Sequence, residues 1–220
     1  NKIWQQLRLA DYINNMPVSQ IMVDYTEADD VIAALCNYHK GENKVIISSD
    51  KDFFQLLDDT TVLYRPVQKE VMNKNRVRDK FLIHPNNFAL ARAICGDRSD
   101  NLEGIKGAGL KTIAKKFPGM CEEKTYTIDN LIDACESVEN KLKVHEAIIE
   151  NKELIQKNYK IMQLYTPSIS TATAAVIKEH IKNYPKEFSR TNIRKMMIED
   201  GFGEMNWDDL FSSLNKIHRG

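Results

Sequence analysis

Short apolar runs alternate with helical patterns over the first third of the chain. The runs at residues 21–23, 45–47 and 61–64 have strand character, and a helical pattern that Thr26 can cap lies between the first two. A further short helix is expected at residues 53–57. Strands that alternate with helices favour a parallel sheet with crossover helices. Because the first two runs are apolar throughout, the pattern predicts a sheet buried on both faces.

Helical patterns dominate the rest of the chain, since strand signals fade from about residue 76. An amphipathic helix is expected at residues 86–95, and another follows a glycine-rich loop at residues 110–117. Further helices are expected at residues 4–13, 130–135, 142–149, 174–181, 192–197 and 208–217. We therefore place a boundary near residue 84, with an α/β part at 1–84 and an α-helical part at 85–220.

Three short acidic motifs directly follow predicted strands or lie at helix ends. They are Glu27-Ala28-Asp29-Asp30, Asp50-Lys51-Asp52 and Gly96-Asp97-Arg98-Ser99-Asp100-Asn101. Sites in open α/β sheets form outside the carboxyl ends of the strands, so the first two motifs are expected at one edge. Carboxylates brought this close repel one another, and a hard divalent cation relieves that repulsion. Oxygen ligands without histidine or cysteine favour Mg²⁺ or Mn²⁺, and two such ions about 3.5–4 Å apart form a phosphodiester clamp.

Simpler explanations exist for single motifs. Acids at a helix N-terminus stabilise the helix dipole without any function, which accounts for Glu27 and Asp29 taken alone. Asp50 and Asp52 resemble the start of a calcium loop, but its fifth, sixth and twelfth positions carry phenylalanine, glutamine and threonine instead of the required residues. The occurrence of three acidic motifs in order favours a shared metal site.

The glycine-rich loop joins two predicted helices. Gly104, Gly107 and Gly109 allow tight turns and a close approach of the backbone to a ligand. Polar and cationic side chains lie in the loop and on the following helix: Lys106, Lys111, Thr112, Lys115 and Lys116. This is a helix–hairpin–helix pattern, at about residues 86–118, that grips a nucleic-acid backbone without reading sequence. An ordinary helix–helix connector is the alternative.

Composition excludes little. Lysine plus arginine equals aspartate plus glutamate, at 31 each, so the net charge is formally zero. Nucleic-acid binding stays compatible with that balance, because acids and bases can lie on different faces. The four cysteines form no CxxC pair, which is typical of buried thiols in a reduced compartment. No stretch has the length and apolarity of a membrane span, so no membrane partner is expected.

The order of the motifs resembles the 5′ nuclease family. The resemblance is carried by Tyr25-Thr26-Glu27-Ala28-Asp29-Asp30, Ser48-Ser49-Asp50-Lys51-Asp52-Phe53-Phe54-Gln55-Leu56, the Gly96–Asn101 motif and Gly104-Ile105-Lys106-Gly107-Ala108-Gly109. That family includes flap endonucleases, the 5′ nuclease domain of bacterial DNA polymerase I, bacteriophage 5′ exonucleases and the ribonuclease H of T-even phages. The match is good from about residue 1 to 118, and the remainder fits a phage-type helical region loosely.

The resemblance implies a role for each matched residue. Glu27, Asp29 and Asp30 resemble ligands of a first Mg²⁺ or Mn²⁺ ion, and Asp50 and Asp52 lie between the two ions. Asp97 and Asp100 complete the second site, so that Asp50, Asp52 and Asp100 are the expected catalytic residues. Gly104, Lys106, Gly107, Gly109, Lys111, Thr112 and Lys115 resemble the duplex-gripping loop, which in this family often also holds K⁺. The implied substrate is DNA or an RNA/DNA hybrid with a 5′ end or flap. The resemblance also implies a monomer that works in the cytoplasm of a bacterium or an infected host, where a single-strand-binding protein or a sliding clamp recruits it.

The chain departs from the family pattern at its start. Two further family aspartates and a helical arch are expected upstream of Asn1, within roughly one hundred or more residues, a length that the resemblance implies. We expect the chain alone to be inactive or very weak as a nuclease. We also expect an unpaired strand edge, or an exposed apolar groove, beside residues 21–23 or 45–47. Two other hypotheses stay open: a nucleic-acid-binding fragment without a working metal pair, and a PIN-type ribonuclease. The helix–hairpin–helix pattern argues against the second.

Overall fold

The computed structural model describes residues 2–184 and 187–219, which form two compact units. One unit is residues 27–168, and the other combines residues 1–26 with 169–220. The larger unit contains every acidic motif and the glycine-rich loop. No helix in the described part of the chain has the length and apolarity needed to cross a membrane.

The larger unit begins with a small α/β part. Its elements are α2 (Ala28–Tyr38), β1 (Lys44–Ile47), a 3-10 helix (Asp52–Leu56), β2 (Thr61–Arg65) and β3 (Glu70–Met72). The strands are ordered β1-β2-β3, with β1 and β2 parallel and Lys44 opposite Thr61. β3 is antiparallel to β2. The α/β class predicted from the sequence is confirmed, with a small mixed sheet in place of a wholly parallel one.

Two expectations about this sheet are wrong. Residues 21–23 form no strand, and Met22 is 82 % exposed. An apolar run of only three residues is too short to specify a strand. The expectation that the sheet is buried on both faces is also wrong, since Val45 and Ile47 of β1 are exposed while Ile46 between them is buried. As expected, β1 is an edge strand with exposed apolar side chains. Thr26 does not cap α2, whose N-cap is Glu27.

Helices complete the larger unit. They are α3 (Lys74–Phe81), α4 (Pro85–Cys95), α5 (Leu110–Lys116), a 3-10 helix (Pro118–Cys121), α6 (Ile128–Glu136), α7 (Lys143–Glu150) and α8 (Lys152–Met162). α4 is the central element, and eight of its eleven residues are buried. It packs on α8 and on the 3-10 helix that begins at Asp52. The sequence patterns did not predict β3, α3 or α8.

The smaller unit is helical. It contains α1 (Lys2–Asn15), α9 (Thr171–Lys182), α10 (Arg190–Glu199) and α11 (Trp207–Arg219). Its core is formed by Tyr12, Ile193, Met196, Met197 and Leu214. Asp200 joins α1 to the end of α10, because its carboxylate accepts hydrogen bonds from Tyr12 Oη at 2.6 Å and Arg8 Nε at 2.8 Å.

The compact units do not divide at the boundary expected near residue 84. One continuous core runs from Ala33 in α2 to Leu164 after α8, so the α/β elements and the helices that follow them share their buried side chains. The change from strands to helices does occur there, since β3 is the last strand in the described part of the chain. A functional division at residue 84 stays a prediction.

Candidate metal centre and glycine loop

One pocket of the larger unit gathers most of the acids from the three motifs. Its volume is about 420 Å³, and six carboxylate residues line it: Glu27, Asp29, Asp30, Asp50, Asp52 and Asp100. Asp97 lies beside it, and one carboxylate oxygen each from Asp52, Asp97 and Asp100 fall within 4.8 Å of one another. The structure therefore brings together all seven acids that the sequence singled out.

Local hydrogen bonds and a buried aromatic cluster position the second motif. Asp50 Oδ1 accepts the backbone N–H of Asp52 at 2.9 Å, which turns the chain after β1. The 3-10 helix then buries Phe54, whose ring lies 5.3 Å from that of Phe88 on α4. Because this helix begins at Asp52, the aromatic contact holds the Asp52 carboxylate against α4.

A tight loop after α4 positions the third motif. Asp97 and Leu102 exchange both backbone hydrogen bonds, at 2.9 and 2.8 Å, so residues 97–102 form a closed turn. Asp97 Oδ1 accepts the backbone N–H of Ser99 at 2.8 Å and also its hydroxyl. This turn carries Asp100 at its exposed tip, facing the pocket.

Arg92 joins the second and third motifs. Its Nε donates to Asp52 Oδ1 at 2.9 Å, and its Nη2 donates to Asp97 Oδ2. Arg92 lies one turn after Phe88 on α4, so the helix that buries the aromatic ring also delivers the guanidinium. The sequence motifs did not include this residue. A cation five positions before Asp97, in the last turn of a helix, was the available signal.

The electrostatics of the pocket reflect crowded carboxylates. Burial raises the pKa of Asp29, and the charges of Asp50 and Asp52 raise it further. Burial also raises the pKa of Asp52, and the Arg92 charge offsets only part of that rise. The hydrogen bond from Ser99 lowers the pKa of Asp97, as does its ion pair with Arg92.

The opposite wall of the pocket comes from the end of α8 and the segment that follows it. Ile161, Met162 and Leu164 line it. Buried Gln55 fixes this segment, since its Nε2 donates to Met162 O at 3.0 Å and its Oε1 accepts Leu164 N–H at 2.6 Å. The first motif is tied to the same segment, because Ser168 N–H donates to Asp30 Oδ1 at 3.0 Å. These contacts join residues far apart in the chain, so no local sequence pattern indicates them.

The glycine loop is built partly by close backbone packing. A Cβ on Gly104 would lie 1.8 Å from Cys95 O, and one on Gly96 would lie 2.3 Å from Gly104 N. Buried Asn158 of α8 braces the same place by donating to Ala93 O at 3.0 Å and Glu103 O at 2.7 Å. Gly104 thus has a structural reason to be glycine, in addition to lining the open face of the loop.

The rest of the loop is open. A hollow of about 870 Å³ is lined by residues 101–109 together with Cys95, Gly96 and Arg98. Gly107 has φ +81°, a conformation that favours glycine, and added Cβ atoms at Gly107 or Gly109 would meet no atom within 4 Å. Lys106, Lys111 and Lys115 are exposed and form no ion pair within the described part of the chain, while Thr112 is half-buried.

Known proteins are similar to this chain in sequence and in fold. Residues 2–82 match the 5′-3′ exonuclease family, N-terminal resolvase-like domain. The 5′-3′ exonuclease of Aquifex aeolicus is 35% identical over 147 residues, which is 64% of this chain and 46% of that protein. Thermostable DNA polymerase I of Thermus aquaticus is 32% identical over 127 residues, 56% of this chain and 15% of that protein. The chain thus spans about half the length of the Aquifex exonuclease and a smaller share of the Thermus polymerase.

Solved structures of the T5 5′-exonuclease have a similar fold. One, a variant of that enzyme, superposes with a TM-score of 0.63 at 20% identity, and the match covers 74% of this chain and 68% of the other. A second is the T5 flap endonuclease in a pseudo-enzyme–product complex with DNA and metal ions, with a TM-score of 0.62 at 19% identity, covering 74% of this chain and 61% of the other.

The small sheet, the central α4 and the acidic pocket define a resolvase-like α/β domain followed by helices. Residues 2–82 are thus similar in sequence to 5′-3′ exonucleases, and the fold of the chain is similar to that of the T5 5′-exonuclease.

Proposed function

We propose that this chain is part of a structure-specific 5′-3′ nuclease that hydrolyses phosphodiesters with the help of divalent metal ions. The observation that carries the proposal is the convergence of six carboxylates on one pocket, with oxygens of Asp52, Asp97 and Asp100 within 4.8 Å of one another. The curated relatives that share this region are named as 5′-3′ exonucleases and DNA polymerases I. We propose 5′ flaps or RNA primers on DNA as the substrates.

The donor set fits Mg²⁺ or Mn²⁺. The residues that line the pocket offer carboxylate oxygens and neither histidine nor cysteine, which favours hard cations. Glu27, Asp29 and Asp30 would hold one ion, Asp97 and Asp100 a second, and Asp50 and Asp52 would lie between them. Bound there, the ions would supply a polarised phosphate and a more acidic water.

The protein side chains contribute positioning. The Phe54–Phe88 contact and the Arg92 ion pairs fix Asp52, and the closed 97–102 turn fixes Asp97. Preorganised charges of this kind cost little reorganisation when substrate arrives. The open backbone at Gly107 and Gly109, with Lys106, Lys111, Thr112 and Lys115 around it, would hold the duplex by its phosphates.

Cleavage of a labelled 5′-flap duplex tests the proposal. The assay uses the longest form of the protein that contains these 220 residues, with an uninterrupted duplex as the control substrate. We expect Mg²⁺-dependent cleavage near the flap junction that EDTA and Asp52→Asn each abolish. Cleavage that survives Asp52→Asn would contradict the metal site proposed around Asp52. DNA binding with no cleavage in Mg²⁺ or Mn²⁺ would favour a purely nucleic-acid-binding role.

A further inference from the structure

Arg92 is the cation that forms ion pairs with the acidic pocket among the described residues. It contacts two of the three carboxylates whose oxygens cluster within 4.8 Å, those of Asp52 and Asp97. Asp100, the third, has no cationic partner in the described part of the chain. One guanidinium therefore bridges two groups that the proposed function assigns to metal binding.

The bridge is largely shielded from solvent. The side chains of Arg92, Asp52 and Asp97 are 16%, 18% and 16% exposed. Asp97 uses one oxygen for Ser99 and the other for Arg92, and Asp52 uses Oδ1 for Arg92. Salt screens such partly buried charges weakly, so their interactions stay strong at physiological ionic strength.

We propose that Arg92 is a built-in counter-ion of the metal centre, which holds Asp52 and Asp97 together in the ion-free protein and competes with the divalent cation for them. The proposal rests on the proposed function, since it concerns the same carboxylates. Arg92 is on this view a positioning residue that sets how much divalent cation the site requires.

Charge balance gives the direction of the effect. Removing Arg92 leaves two partly buried carboxylates without their shared partner, which destabilises the ion-free protein. A divalent cation then gains the whole relief of their repulsion and no longer meets the positive charge of Arg92. Lysine carries the same charge but cannot bridge two carboxylates with one planar fork, so Arg92→Lys should behave between the two.

The experiment measures Mn²⁺ affinity by the paramagnetic resonance signal of the free ion, and thermal unfolding with and without Mn²⁺. The variants are Arg92→Met and Arg92→Lys. Arg98→Met is the matched control, because Arg98 is exposed on the same loop and forms no ion pair with a described residue. We expect Arg92→Met to lower the Kd for Mn²⁺ by roughly tenfold or more, Arg92→Lys to lower it less, and Arg98→Met to leave it within about twofold.

Thermal unfolding separates this role from simple packing. Arg92→Met should melt at a lower temperature than the parent protein without ions, and saturating Mn²⁺ should narrow the difference. An unchanged or higher Kd in folded Arg92→Met would overturn the proposal, as would an unchanged Kd in Arg92→Lys if the methionine variant does not fold.

Asp52→Asn distinguishes this failure from failure of the proposed function. Mn²⁺ binding that depends on Asp52 but ignores Arg92 removes only the role of Arg92. Mn²⁺ binding that ignores Asp52, or is absent from the parent protein, removes the metal centre itself and the counter-ion with it.

Discussion

The acidic pocket and the glycine loop both use residues of the segment that follows α4, yet they are built in different ways. In the pocket, side chains form the site, and Arg92, Ser99 and the Asp52 backbone hold them in place. In the loop the backbone forms the site, and the lysines around it are exposed. Carboxylates that must share an ion have to be assembled against their repulsion, whereas cations that meet a flexible phosphate chain need no fixed partner. Substitutions in the two regions should therefore affect different properties of the protein.

The largest expected effect is in the pocket. In a form of the protein that cleaves a flap, Asp52→Ala should lower the cleavage rate by roughly 10³-fold or more, because a carboxylate between two ions acts mostly on the transition state. Binding to uncleaved flap DNA should change little, since the proposed duplex contacts lie in the glycine loop. Single-turnover kinetics and a binding titration check this. Near-normal turnover with Mg²⁺ would break the contrast between the regions.

The next effect is on folding and concerns the backbone of the loop. Gly104→Ala should lower the free energy of unfolding by about 3 kcal/mol, because its Cβ would lie 1.8 Å from Cys95 O. Gly109→Ala is the matched control and should cost less than about 1 kcal/mol, since its Cβ meets no atom within 4 Å. Denaturant unfolding of the two variants measures the difference. Equal losses would mean that close packing does not define this loop.

A smaller effect is expected from one lysine of the loop. Lys111→Ala should weaken binding to duplex and flap DNA several-fold, with little dependence on sequence, and should reduce the slope of log affinity against log salt by about one unit. Lys143→Ala, an exposed lysine on α7, is the control. Titrations at several salt concentrations provide the test. If the slope stays the same, the glycine loop is a plain helix connector.

The smallest effect concerns repulsion within the pocket. The pKa of Asp29 is raised by burial and by neighbouring carboxylates, so its charged form destabilises the ion-free fold at neutral pH, and the penalty fades as pH falls through the raised pKa. Asp29→Asn should therefore raise the melting temperature of ion-free protein at pH 7 by about 1–3 °C, and the gain should shrink on acidification. Exposed Asp133→Asn should change nothing. Calorimetry at pH 7 and at pH 4 measures the change in melting temperature. A lower melting temperature for Asp29→Asn than for the parent protein at pH 7 would contradict this prediction.

Local patterns were enough to predict much of the fold. The helices at α2, α4 and α5 and the strands β1 and β2 follow from periodicity and from glycine and proline positions. The run at 21–23 was misjudged because three apolar residues carry no period that separates a strand from a loop. β3 and α8 were missed because β3 is only three residues long and α8 is polar over most of its length.

The acids of the site were found from sequence because their spacing repeats a recognisable order. The residues that hold them were not. Arg92 and Asp52 are 40 positions apart, and Gln55 and Leu164 are 109 apart. Packing brings such partners together, here through the Phe54–Phe88 contact, and a local pattern does not show which distant residues will meet. How these side chains act on a substrate stays a prediction.

The most direct measurement is the anomalous diffraction of Mn²⁺ in crystals of the protein soaked with that ion. We predict a Mn²⁺ peak about 2.1 Å from oxygens of Asp52 and Asp100, within the pocket that Glu27 and Asp29 also line. A second peak about 3.5–4 Å away would establish the paired arrangement. Peaks that lie only elsewhere on the protein, with none among these carboxylates at millimolar Mn²⁺, would contradict the central claim.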